Sequence, residues 1–246
     1  LIPESLRGER PSPTEATGDL REFLGLTERW RSRQAKVEDL VRAQEAAARR
    51  LSLEDAFEKP VTAVAGVDVS FLDDRAFAAA VVLDYASAAV LEQHVALSEG
   101  LPPYLPGLLV FREGPAAVKA VRALGTPFQV LLVNAHGLAH PRRCGAASHL
   151  GLLLGISTIG VAVSLLCGSV VGTPRRAGEW LPLECNGQVV GAAGIPAPGL
   201  RPIYVSPGHR ISLRSSVEIA SGLLRGRRLP EPLAVAHALA VRARRS

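Results

Sequence analysis

Asp68 interrupts the hydrophobic run Val64-Ala-Gly-Val-Asp-Val-Ser70. A carboxylate inside a strand is costly if buried and unpaired, so it must face a cleft, a cation or hydrogen-bond donors. The competing use is structural, a strand-end aspartate satisfied by backbone amides. Glu113 follows the Pro-rich turn Tyr104-Leu-Pro-Gly107, early in a helix-like stretch that also carries Arg112. There its charge interacts favourably with the helix macrodipole whether or not it does chemistry. Val130-Leu-Leu-Val-Asn-Ala-His-Gly-Leu-Ala-His-Pro-Arg-Arg143 ends a buried strand in a polar loop. In α/β sheets the carboxyl ends of strands are where ligands bind, which singles out Asn134, His136 and His140. Tyr204-Val-Ser-Pro-Gly-His209 sets a further histidine between a short strand and a helix, a placement more often structural than catalytic. The arginines fall into clusters, Arg142-Arg143, Arg175-Arg176, Arg225-Gly-Arg227-Arg228 and Arg242, Arg244, Arg245. They meet phosphates if folding gathers them on one face, and are otherwise scattered solvated charges.

The elements that must position these residues are legible from periodicity. Glu28 to Leu51 places Trp30, Ala35, Val37, Leu40, Val41, Ala47 and Ala48 at helical intervals among Arg and Glu, the pattern of an amphipathic helix. Strand-like runs follow over Val61–Phe71, Phe77–Tyr85 and Ala89–Leu97, with connections so short that only antiparallel neighbours fit. The order then alternates. A helix to Leu124 precedes a buried strand at Gln129–Val133, then a helix over Cys144–Leu154, strands at Thr158–Ala162 and Pro202–Ser206, and closing helices over Ser212–Leu224 and Pro232–Arg244. A meander continued by helix-linked strands is the order of a mixed α/β sheet with helices on both faces, and the ribonuclease H-like architecture is one such fold. Residues 1–26 mix Pro, Gly and charge without periodicity and are expected to form a flexible leader before one domain over 27–246.

Composition bounds the class. The chain has 246 residues, 48% of them hydrophobic and 21% charged, enough for one domain with a sizeable core. Cys144, Cys167 and Cys185 form no C-x-x-C pair, which argues against a disulfide framework or a cysteine zinc site. The net charge is +5, and Lys36, Lys59 and Lys119 are the only lysines. Apolar runs such as Gly151–Val163 are interrupted and too short to span a membrane. The first residues lack the apolar core of a secretory signal, so a cytoplasmic location is expected.

Several segments, in order, resemble the endonuclease V (deoxyinosine 3'-endonuclease) family: Gly66-Val-Asp-Val-Ser-Phe71, Pro103-Tyr-Leu-Pro-Gly-Leu108, Phe111-Arg-Glu-Gly-Pro115, His136-Gly-Leu-Ala-His-Pro-Arg142, Ala147-Ser-His-Leu-Gly151, Thr158-Ile-Gly-Val-Ala162, Val205-Ser-Pro-Gly-His-Arg210 and Leu229-Pro-Glu-Pro232. The resemblance implies a ribonuclease H-like fold and a Mg2+-dependent nick 3' to inosine, with Mn2+ as a second metal. It implies that Asp68, Glu113 and position 134 hold the metal, with His209 nearby. Hard oxygen ligands suit Mg2+, which activates water and neutralises phosphodiester charge. Tyr104 matches the family's wedge, filling the gap beside a flipped-out base. The base pocket would be built around Leu105, Pro106, Gly107, Gly137, Leu138 and His140, with Arg112, Arg142 and Arg143 on the phosphates. Partners would be single- or double-stranded DNA or RNA containing inosine, with the protein acting as a monomer.

The chain departs from that pattern at two positions expected to carry catalysis. Where the resemblance expects Asp-Gly it has Asn134-Ala135, and where it expects lysine after Gly-Val-Ala it has Val163. An amide oxygen can still ligate Mg2+, but one negative charge is gone. Valine can neither donate to phosphate nor stabilise a leaving oxygen. An active nuclease with a weakened site is therefore set against a family member that binds inosine-containing or other nucleic acid without cutting it. A third reading is an enzyme redirected to a small substrate through Asn134, His136 and His140.

Overall fold

The computed structural model describes residues 13–245. Two helices, α1 (Pro13–Arg31) and α2 (Val37–Ala48), lead into the strands β1 (Ala63–Leu72), β2 (Arg75–Asp84) and β3 (Val90–Ser98). Helix α3 (Val110–Arg122) connects to β4 (Val130–Val133), and α4 (Ala146–Leu154) to β5 (Ser157–Ala162). Strands β6 (Ser169–Val170), β7 (Trp180–Cys185), β8 (Gln188–Gly194) and β9 (Ile203–His209) precede α5 (Leu213–Gly222) and α6 (Glu231–Arg245). They form one nine-stranded sheet in the order β3-β2-β1-β4-β5-β9-β8-β7-β6. β1, β4 and β5 run parallel and the remaining pairs antiparallel, so the meander-plus-parallel order expected for a ribonuclease H-like sheet is what forms.

Strand alternation sets two large core clusters on opposite faces of the sheet, beside a small third one around Leu183 and Val190. Ala65, Val67, Leu131 and Val133 face a cluster closed by α1, α2, α3 and α4, through residues such as Phe23, Leu40, Phe111 and Leu150. Val64, Val130, Leu132, Ile159 and Val161 face the opposite cluster, closed by Ile219 and Ala220 of α5 and by Leu233 and Ala236 of α6.

Some expectations need correcting. From Pro13 onward the expected flexible leader is helical: Leu20, Phe23 and Leu26, spaced by three, are buried against the first core cluster. The part of that leader over residues 1–12 lies outside the described residues. The single helix expected over Glu28–Leu51 is broken after Arg31, where Arg33 takes φ +60°, a left-handed conformation that no α-helix carries onward. The hairpin β7–β8 and its short partner β6 extend a sheet edge for which no strand was expected.

Candidate active site

The site begins with a glycine. A Cβ at Gly66 would lie 2.6 Å from the backbone of Pro232, so its absence lets the start of α6 settle directly on β1. From that contact, five helical residues rise ~7.5 Å and two strand residues ~6.7 Å, which brings His237 level with Asp68. His237 Nδ1 lies 2.7 Å from Asp68 Oδ2. An ionised carboxylate only accepts, so Nδ1 carries the hydrogen. On the neighbouring strand the Asn134 amide N–H donates to Val67 O and continues the β1–β4 ladder by one residue. Its side chain is thereby set beside Asp68, and Nδ2 donates to Asp68 Oδ1 at 2.9 Å. Asp68 is 7% exposed, with both oxygens engaged.

Glu113 stands in the first turn of α3, near enough for the Asp68 charge to act on it. It is buried, and burial together with the Asp68 charge pushes its carboxyl up to about 8. Among the described residues no hydrogen bond or ion pair is found at this carboxyl. Two carboxyl groups close enough to interact electrostatically, one of them without a hydrogen-bond partner, suit a divalent cation. Mg2+ is commonly held by one or two carboxylates plus substrate phosphates rather than by a full protein cage. Among the described residues no three His, Cys, Asp or Glu side chains gather closely enough to hold a metal by themselves, in keeping with the amide at position 134.

Two loops rim this cluster. Tyr104 is 57% exposed ahead of α3, and Gly107 takes φ +77°, which favours glycine. Opposite it, the loop after β4 is fixed to β9: Gly137 N–H donates to Ser206 Oγ at 2.9 Å and Leu138 N–H to Pro207 O at 2.7 Å. Leu105, Gly107 and Leu138 are half-buried, Pro106 is exposed, and Gly137 and His140 are buried. Burial, then the Arg142 charge, lowers His140 to about 4. Val163 follows the last residue of β5, 41% exposed, and its carbonyl accepts from Arg228 at 2.7 Å.

The arginines assigned to phosphate each make a hydrogen bond within the protein. Arg112 donates to Pro102 O and lies over the Phe71 ring. Arg142 donates to Gly107 O at 2.7 Å, and Arg143 to Cys185 O at 2.9 Å. Arg142 and Arg143 thus tie the loop after β4 to distant segments, because backbone bent away from the sheet leaves carbonyls that need donors.

His209 is not part of the cluster. Asp68 is level with Asn134, and through Val133↔Gly160 and Val161↔Val205 that level meets β9 at Val205, whereas His209 pairs with Thr158. It therefore sits about 10 Å back along the strands and three strand spacings, ~14 Å, across. There its Nδ1 accepts from Ser52 N–H at 3.2 Å, and burial lowers it to about 4. His237 is the histidine of the site. Its sequence signal is faint: a polar residue four positions after the buried Leu233, within a closing helix.

A family model described as Endonuclease V matches residues 45–238. An Endonuclease V from Roseiflexus sp. (strain RS-1) is 46% identical over 181 residues, covering 74% of this chain and 82% of that protein. The crystal structure of the Endonuclease V from Streptomyces avermitilis aligns with a TM-score of 0.79 at 38% identity, over 85% of this chain and 93% of the other. That of the Ciona intestinalis Endonuclease V, in complex with a 24mer DNA containing an inosine followed by a ribo-adenosine, aligns with a TM-score of 0.74 at 29% identity, over 84% and 97%. With the sheet order, the paired carboxylates and a match over most of its length in agreement, the chain belongs to the endonuclease V family.

Proposed function

We propose that this protein recognises inosine in nucleic acid and nicks the strand 3' to it with a divalent cation, Mg2+ or Mn2+, more slowly than a site with a third carboxylate would. The observation that carries this reading is the buried pair Asp68 and Glu113, whose mutual repulsion and burial a bound cation would relieve. Asp68 and Glu113 would hold the cation, with Asn134 turning its oxygen inward. When bound, the cation supplies activation of water and charge neutralisation at the phosphodiester. His237 fixes the plane of the Asp68 carboxylate. Tyr104 offers an exposed ring that can stack where a base has left the helix. The inosine-containing DNA in the Ciona relative's complex supports DNA as substrate; single strands and RNA are open to the same recognition. No described helix is long and apolar enough to cross a membrane, and we place the protein in the cytoplasm as a monomer.

A second reading is binding without cutting. It is favoured by the Asn134 amide, which presents N–H rather than oxygen to Asp68. One experiment separates the two: inosine-containing single- and double-stranded DNA and RNA, with Mg2+ or Mn2+, assayed for binding and cleavage independently. Nicks 3' to inosine support the first reading, and inosine-selective binding without nicks supports the second. Neither binding preference nor nicks overturns both.

A further inference from the structure

Gly107 is held by more than its own turn. Its carbonyl accepts from Arg142 Nη2 at 2.7 Å and lies 3.0 Å from His140 Nε2. His140 Nδ1 accepts the Arg142 backbone N–H at 3.1 Å, so the ring hydrogen must sit on Nε2, which donates to Gly107. Arg142 Nε in turn donates to Gln44 Oε1 at 2.6 Å, and Gln44 Nε2 donates to Cys144 O at 2.6 Å. Gln44 is 1% exposed on α2, and its amide is oriented uniquely by these two partners. A buried amide left half-satisfied is costly, so the chain of bonds is held as a unit.

We propose that Gln44 is a positioning residue for base recognition: through Arg142 it braces the Gly107 peptide and with it the tip bearing Tyr104. Gln44 lies just outside the span 45–238 matched by the family model. It touches neither the carboxylates nor the exposed Tyr104 ring. Its effect passes through the rigidity of residues 104–108, because a ring that must enter a base stack gains selectivity from being ordered beforehand. This rests on the reading of inosine recognition given above.

The test compares Gln44→Leu, which removes both bonds, with Gln44→Glu, which keeps an acceptor for Arg142. Two readouts are taken: the ratio of affinities for inosine-containing and undamaged strands, and hydrogen exchange of residues 104–108 without nucleic acid. Gln44→Leu is expected to lower the ratio roughly tenfold, the worth of one hydrogen bond to a charged group, and to speed exchange at 104–108. Gln44→Glu should restore most of both. Unchanged exchange at 104–108, or equal losses in the Leu and Glu variants, overturns the proposal. A wild-type protein with no preference for inosine instead overturns the functional reading, and exchange alone then judges the brace. If Gln44→Leu does not fold, Arg142→Met, which removes the donors at the middle of the chain, must speed exchange in the same residues or the brace is refuted.

Discussion

Asn134 Nδ2 donates to Asp68 Oδ1 at 2.9 Å, and this bond ties the end of the fourth strand to the middle of the first. The bond turns the amide oxygen away from Asp68, so a cation there competes with a hydrogen bond already made. Asn134→Asp replaces that donor with a third carboxylate. Without metal it should lower stability by about 1–3 kcal/mol, from a lost hydrogen bond and added repulsion. Mg2+ should then raise its melting temperature more than it raises the wild type's. Combined with Val163→Lys, it should increase cleavage beside inosine beyond either change alone, since metal and ammonium act on one transition state. A double variant that folds and binds inosine strands, yet leaves them intact at millimolar Mg2+, would refute this.

Glu113 makes stability depend on pH. Its carboxyl is raised from 4.5 to about 8 by burial and by Asp68. Between those values the folded chain holds a proton the unfolded chain has lost, so stability falls as pH rises through the window. Glu113→Gln keeps the shape and removes the titration, while the buried histidines titrate alike in both proteins and cancel. The variant's advantage in melting temperature should grow steadily from about pH 5 to pH 8, and Mg2+ should shrink it at the upper end. A gap independent of pH would show that Glu113 is not protonated in the folded chain.

Tyr104 is tested by truncation. Tyr104→Ala should cut the preference for inosine-containing over undamaged strands, because stacking on a base contributes roughly 1–3 kcal/mol. Competition binding with matched strands measures this. Equal losses on both would reduce Tyr104 to a loop residue.

Two glycines should respond with opposite signs. A Cβ at Gly137 would stand 2.3 Å from Pro207 O, backbone that cannot swing aside, so Gly137→Ala should destabilise by about 1–3 kcal/mol. At Gly18, in α1, nothing lies within 4 Å of such a Cβ, and Gly18→Ala should stabilise by up to ~1 kcal/mol. Denaturant midpoints for the two variants that moved the same way would contradict this account of their packing.

What the sequence shows and hides follows from the range of the forces involved. β1 and β2 are ten-residue runs that are largely apolar and β3 is a nine-residue one, and short turns dictate their pairing, so the meander is legible. α1 was hidden because few apolar positions, chiefly Leu20, Phe23 and Leu26, carry its packing within a charged segment. β7 was hidden because only Leu183 and Cys185 of it are buried, and β8 because its buried residues are largely Gly and Ala. Asp68 and Glu113 announce themselves as carboxylates in apolar surroundings. His209 and His237 could not be ranked from local pattern, since only strand register puts one far away and only the Gly66–Pro232 contact brings the other near. The internal partners of Arg112, Arg142 and Arg143 are hidden for the same reason: charge is visible in a sequence, while the carbonyl it will bond is not.

The bond from His237 to Asp68 spans 169 positions of the chain. As synthesis proceeds from the N-terminus, strands β1 to β5 can pair long before α6 has left the ribosome. During that interval Asp68 has Asn134 but not its histidine, and the face of β1 around Gly66 is open to water. The turns of α6 are thus what turn a folded sheet into a finished site, and a partly made chain carries the sheet without the competence.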